Sequence, residues 1–384
     1  MKKYYKYVLS LGHLCSDINQ SILSAVLPFL IATYHYDYTT AAMLVTVSNV
    51  FGSFVQPFIG MLSDKKNKPF YMILGVLLAS GGMAVTGFIS NFFGLCIAVI
   101  ISGIGVAMFH PQAAKLVNSV SNKNAKGKGM SIFSFGGKIG FTLGPVYTAF
   151  LMNLFGMKGT ILFLIPGIVF GIVCSFFNKD FGNLDILEVK KKEEVKGDGK
   201  DDWSGFIKLC GVVFSRSILT NGLSTFLALY FIQQFSRSNS FASLILSFFY
   251  GMGAIATLLG GSIADRYGHR KMVRLSFCIF LPALFIFTNT SNFIIALVML
   301  VLMSCGESFS YSPMVVLGQK YLPNHTGFAS GITLGLAVSV GAVLCPALGY
   351  VSDAYGLNYA FIIMTIVCAI ALVCSMILPN VEEE

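Results

Sequence analysis

The chain has 384 residues, 55% of them hydrophobic and 11% charged, a balance too apolar for the surface of a soluble protein. Its net charge of +9 would suit a polyanion such as nucleic acid, but the placement of the basic residues gives that balance another origin. What remains is an integral membrane protein, in which about 20 apolar residues make one helix across the bilayer.

Twelve such runs are predicted, at 5–33, 39–62, 69–90, 92–116, 128–153, 159–178, 205–233, 240–263, 272–289, 292–318, 327–351 and 357–378. Their continuous apolar character lacks the short alternating segments of a membrane β-barrel, so the fold class is all-α. The first span carries H-L-C-S-D-I-N-Q-S, residues 13–21, inside an apolar stretch. His13 and Asp17 are four apart and share a helix face, with Gln20 about one turn further on. Lys2 and Lys3 could open a signal peptide, but no small-residue cleavage site follows, and the span is expected to remain uncleaved.

The second span ends in G-M-L-S-D-K-K, with Gly60, Asp64 and Lys65, and the fourth contains His110-Pro111-Gln112. The fifth reads G-G-K-I-G-F-T-L-G-P from 136 to 145. Gly136, Gly140 and Gly144 lie on one face there, ahead of Pro145, a spacing that lets two membrane helices approach closely. Lys138 lies among them. The charged stretch from Asn178 to Trp203 is a linker by composition, which divides the chain into a bundle at 1–178, a linker at 179–204 and a second bundle at 205–384.

The seventh span carries Arg216 and Asn221, and the tenth carries Glu307, Ser308 and Tyr311. The loop after the eighth is G-S-I-A-D-R-Y-G-H-R-K, residues 261–271. In it Gly261 is expected to allow close packing, Asp265 to pair with a basic residue or a helix N-terminus, and Gly268 to take a positive φ, with Arg266 and Arg270 beside them.

Of the 26 Lys and Arg residues, 21 fall in loops on one side, and only Lys158 and Arg237 lie on the other. The positive-inside rule places both termini and the linker in the cytoplasm and accounts for the basic balance without nucleic acid. The nine cysteines all lie within spans, with no Cys-x-x-Cys pair, and read as packing residues. Neither cofactor nor metal is expected.

The two halves align at an offset near 201: Gly52 with Gly253, Gly60 and Asp64 with Gly261 and Asp265, Gly140 with Gly341, and Gly144-Pro145 with Cys345-Pro346. Repetition at one offset in several helices implies a duplicated six-helix unit, a common construction of secondary transporters with a site near the midplane.

Charge near the bilayer centre costs at least about 2.5 kcal/mol on insertion scales, which makes Asp17, Lys138, Arg216 and Glu307 functional candidates. Two readings stand: a solute and proton pathway, or ion pairs that hold the halves in register.

The 261–271 loop resembles the G-x-x-x-D-R-x-G-x-R-[KR] loop of the major facilitator superfamily, of which the 60–69 segment is a degenerate copy. H-L-C-S-D-I-N-Q-S, Q-P-F-I-G-M-L-S-D-K and G-V-A-M-F-H-P-Q together resemble the fosmidomycin-resistance family of that superfamily, with Gln112 where that family carries an acid. Gly144-Pro145 is similar to a helix 5 motif of proton-coupled antiporters, although its second glycine pair is replaced by Val146-Tyr147-Thr148.

The resemblance implies twelve transmembrane helices in two pseudo-symmetric six-helix bundles, with the first, fourth, seventh and tenth spans lining a central cavity. It implies proton-driven efflux of a small organic solute, anionic or drug-like, by a monomer in the cell membrane. Its partners are then that solute, protons and the lipid bilayer. Asp17, Glu307, His13 and His110 become the proton-coupling residues, and Arg216, Lys138, Gln20, Gln112, Asn221 and Tyr311 the solute-binding ones. The two loop copies, Gly60, Asp64 and Lys65 and then Gly261, Asp265, Arg266, Gly268 and Arg270, become gating elements. An importer or facilitator of an organic anion is the alternative. A channel, enzyme or sensor lacks a charged ring, a nucleotide loop, His-x-x-x-His or a sizeable soluble domain.

Overall fold

A computed structural model describes residues 2–65, 69–120, 126–182, 200–325, 328–329, 332–333 and 337–380. Among these the regular structure is helical, as lipid requires of a chain that must satisfy its backbone polar groups internally. The helices are α1 (Lys2–Tyr34), α2 (Tyr38–Lys65), α3 (Phe70–Ala84), α4 (Phe92–Val120), α5 (Lys126–Phe155), α6 (Leu164–Gly182) and α7 (Trp203–Phe235). They continue with α8 (Asn239–Tyr267), α9 (His269–Asn289), α10 (Phe293–Phe309), α11 (Tyr311–Tyr321), α12 (Ala337–Tyr355) and α13 (Leu357–Met376).

Ten stretches of the described residues are long and apolar enough to cross a membrane. One, Ile132–Gly182, runs 51 residues and holds both the fifth and the sixth predicted spans, joined by a 3-10 segment at Gly156–Phe163. The eleventh predicted span begins in residues outside the described set. The tenth is one apolar stretch, Phe293–Tyr321, made of two helices. α10 and α11 meet at Ser310, because Pro313 has no N–H to offer the carbonyl of Phe309 one turn back. Pro111 sits inside α4, which continues through it.

The chain resolves into two compact units. The first comprises Met1–Tyr36, Met43–Glu193 and Ser238–Ser247, and the second Asp37–Ala42, Glu194–Arg237 and Phe248–Glu384. In the first unit α5 lies against α1 through its glycines. A Cβ at Gly140 would stand 2.5 Å from the Leu14 carbonyl oxygen, while one at Gly136 or Gly144 would collide with Ser10 or Ser21. Beneath them Tyr5, Leu9, Phe109, Phe133 and Phe170 form an apolar core.

In the second unit α12 meets α7 in the corresponding way, with Gly341 against the backbone of Ser217. The repeat is visible within each unit separately. Gly52 of α2 abuts Gly103 of α4, and Gly253 of α8 abuts Ser304 of α10, both pairs separated by the same offset. Large apolar side chains such as Phe93, Phe176 and Ile294 are exposed, as a lipid-facing surface demands.

Gly268 takes φ 100° ahead of α9 and Gly356 φ 99° ahead of α13, turns that a Cβ would strain. A Cβ at Gly261 would meet nothing within 4 Å among the described residues. Gly60, Asp64 and Lys65 end α2, and their surroundings lie outside the described residues, as does the linker from 183 to 199. Asp202 caps α7 by accepting from the Gly205 N–H at 2.8 Å.

Candidate functional site

Each unit carries a polar cluster in its membrane-spanning helices. In the first unit Asp17 of α1 is 6% exposed and faces two imidazoles. Its Oδ2 lies 3.1 Å from His13 Nε2, one turn earlier on α1, and its Oδ1 lies 3.0 Å from His110 Nε2 on α4. Both rings are oriented from behind. His13 Nδ1 is 2.7 Å from the Phe133 carbonyl of α5, and His110 Nδ1 is 2.9 Å from the Val106 carbonyl of its own helix.

A carbonyl only accepts, so each Nδ1 must carry the hydrogen and donate it. Nε2 is then the variable atom. Whatever bridges Nε2 and a carboxylate oxygen at 3 Å has to be positively polarised, because two lone pairs there would repel. The Phe133 ring stacks on His13 with centroids 4.1 Å apart. Gly137 lets the α5 backbone close over the cluster, since a Cβ there would lie 2.5 Å from Asp17 Oδ2.

In the second unit Arg216 of α7 donates from Nη2 to Glu307 Oε1 of α10, and its Nε donates to the Glu307 carbonyl at 3.1 Å. Glu307 also accepts from Thr220 Oγ1 at 2.7 Å and from Ser308 Oγ at 2.9 Å. The Arg216 guanidinium stands 5.0 Å from the ring centroid of Tyr311, which begins α11. Both charged side chains are mostly buried, at 15% and 8% exposure, and so satisfy each other rather than water.

The remaining candidates are distributed. Lys138 is half-buried beside Gly137, and Gln20 is half-buried on α1. Gln112 is fully buried on α4. The Asn221 amide donates to the Ser217 carbonyl of its own helix at 3.0 Å. In the 261–271 loop Asp265 meets His269 Nε2 at 3.5 Å, Arg266 lies over the Tyr267 ring, and Arg270 donates to the Leu378 carbonyl at 3.2 Å.

Several participants are absent from the predicted set. Thr220 joins the Glu307 site only through folding, and the Phe133 carbonyl has no side-chain signature. Arg274 donates to the Ser375, Met376 and Leu378 carbonyls at the end of α13. Asp353 of α12 accepts from the Tyr38 and Thr39 N–H groups at 2.8 and 2.9 Å and so caps α2. Asp201 accepts from the Asn324 N–H at 3.1 Å and lies 2.9 Å from His325 Nδ1.

The family model described as Major Facilitator Superfamily matches residues 9–230 and 209–384, which between them span the bundles holding both clusters. The chain belongs to the Major Facilitator Superfamily. It is 26% identical to the uncharacterized MFS-type transporter YfnC of Bacillus subtilis, over 98% of this chain and 93% of that protein. It is 24% identical to the fosmidomycin resistance protein of Escherichia coli, over 90% of this chain and 85% of that one.

Among solved structures, a bacterial homolog to the human lysosomal transporter Spinster, inward-facing and occupied, superposes with a TM-score of 0.83 at 17% identity. That match covers 98% of this chain and 96% of the other and speaks to the fold. The protein is thus a multi-span membrane transporter of the superfamily, with a small-molecule substrate and the bilayer as its surroundings. Membership in a transporter family indicates a transporter rather than an enzyme.

Proposed function

We propose that the protein is a proton-coupled exporter of a small organic solute, working by alternating access between two six-helix halves with both termini in the cytoplasm. One observation carries this: each unit buries an acid inside its membrane-spanning helices, Asp17 against two imidazoles and Glu307 against Arg216. A buried acid at this depth persists only where its charge is compensated, and it changes partners when a proton arrives. Asp17 with His13 and His110 is assigned as the main proton-bearing group and Glu307 as the second. Solute contacts are assigned to Arg216, Lys138, Tyr311 and the amides Gln20, Gln112 and Asn221. Efflux is favoured by similarity to proteins named for drug resistance, including multidrug resistance protein 2 of Bacillus subtilis at 21% identity.

The Arg216–Glu307 pair favours a second reading, in which an organic anion moves together with protons. A proton on Glu307 weakens its hold on Arg216, and a freed guanidinium accepts a carboxylate or phosphonate. Anion and proton then bind cooperatively, whereas a cationic solute competes with the proton. The sense of coupling follows the charge of the solute.

Reconstitution in proteoliposomes with an imposed pH gradient separates these. Exchange predicts solute movement opposite to the imposed proton flux, and co-movement predicts movement with it. Asp17→Asn is expected to abolish the pH dependence; full pH-dependent transport in that variant would remove Asp17 from its assigned role.

A further inference from the structure

We infer that His13, Asp17 and His110 form a binding site for one first-row divalent metal ion of the Zn2+ class. The three ligand atoms, His13 Nε2, His110 Nε2 and a carboxylate oxygen, all lie within 4.8 Å of one another. Tetrahedral ligands about 2.0–2.1 Å from zinc stand about 3.3 Å apart, close to the 3.1 Å from His13 Nε2 to Oδ2 and the 3.0 Å from His110 Nε2 to Oδ1, so each of the two carboxylate oxygens already faces one imidazole. For one ion to take all three groups, the two rings, edge to face at 5.0 Å between centroids, must draw together and the carboxylate must turn toward the point between them.

The surroundings argue for the same ligand. A metal-binding histidine ordinarily donates its other ring nitrogen to a backbone carbonyl, which fixes the tautomer and raises the basicity of the ligating atom. Both histidines have that arrangement, to Phe133 and Val106. Two neutral nitrogens and one carboxylate suit zinc and its first-row neighbours, not magnesium or calcium, which prefer all-oxygen sites. The His110 side chain is 25% exposed, against 12% and 9% for the other two, so it marks the route of entry and the side on which water completes the coordination.

Bound there, the ion would tie α1 to α4 where a mobile proton otherwise bridges them, and so act as an inhibitor of transport. The inference stands on the cluster's geometry rather than on the proposed proton coupling. Binding is therefore measured on purified full-length protein in detergent without any gradient.

Zn2+ is titrated against a chromophoric chelator, and Co2+ serves as a spectroscopic probe of four-coordinate geometry. One equivalent is expected to bind, more tightly as pH rises because the ligands must be deprotonated. His110→Ala should weaken Zn2+ at least tenfold. His110→Cys should retain one equivalent of Zn2+ and add to the Co2+ spectrum a sulfur-to-metal charge-transfer band that the native protein, with its nine other cysteines, lacks. Absence of saturable one-equivalent binding overturns the site, as does affinity unchanged in His110→Ala or a Co2+ spectrum unchanged in His110→Cys. If the metal binds as described but no pH-dependent solute flux is found, the transport reading fails and the site stands.

Discussion

Arg216 and Glu307 show how a single residue's role depends on its partner. The guanidinium is held by both the side chain and the carbonyl of Glu307, and the carboxylate is further held by Thr220 and Ser308. Removing one partner from such a buried pair costs about 3–5 kcal/mol, because the other charge is left uncompensated. Glu307→Gln should accordingly lower the thermal midpoint markedly, while the double change Arg216→Met with Glu307→Gln should recover part of the loss. A double-mutant cycle on detergent-solubilised protein measures this, and strict additivity would refute it.

These residues were legible in the sequence as charges within apolar spans, because lipid makes such positions expensive. His13 and Asp17 were legible as a pair, because four residues return a helix to the same face. That His110 completes the pair from 93 residues away, and that Arg216 closes on Glu307, follows from helix packing that no local spacing records. Gln112 and Asn221 are legible in the same way, as polar residues in apolar spans, and only the fold shows that Gln112 is buried and that the Asn221 amide donates to the Ser217 carbonyl of its own helix.

At the level of elements, the contact of α1 with α5 is set by the Cβ atoms that α5 lacks. Gly140→Ala places a methyl 2.5 Å from a backbone oxygen that cannot swing aside, and overpacking of this kind costs about 1–3 kcal/mol. Gly261→Ala, whose added methyl meets none of the described residues, should leave the melting midpoint unchanged; equal losses in the two variants would contradict this account.

The junction before α7 responds to acid instead. Burial alone would raise the Asp201 carboxyl, but hydrogen bonds from the Asn324 N–H and from His325 outweigh it and hold the group below its ordinary value. The stabilisation is thus present above the unfolded carboxylate value, about 3.9, and is lost as pH falls through the lower folded one. Melting curves of the native protein and Asp201→Asn should therefore differ at neutral pH and converge under strong acid. A difference that persisted unchanged would exclude the carboxylate as its source.

The apolar spans were readable because a helix is the only local answer to lipid, and period and length suffice to find it. Their interruptions were not. α10 and α11 meet at Ser310, three residues before Pro313, whereas α4 runs through Pro111, so a proline in a span does not by itself tell where a helix is interrupted. Asp201 and Asp202 fell in a stretch whose composition spoke for a linker, and only the fold shows them as a clasp and a cap.

For the molecule as a whole, the asymmetry of basic residues is the feature with a direct topological consequence. Lys190, Lys191 and Lys192 belong to the heavily charged side, whereas Lys158 and Arg237 are alone on the other. A bilayer with an anionic cytoplasmic leaflet retains the basic side during insertion, each lysine or arginine near the surface contributing about 1 kcal/mol. The proposed orientation therefore places the only dense run of tryptic sites between the two halves inside the cell. Trypsin added to intact cells should leave the chain whole, because the opposite face offers just two isolated sites in short turns. In inverted vesicles limited digestion should cut first near residues 190–192, the densest run on that side, and yield two fragments of nearly equal mass, each still embedded. Cleavage in intact cells with protection in inverted vesicles would reverse the topology, and with it the side from which protons and solute reach Asp17 and Glu307.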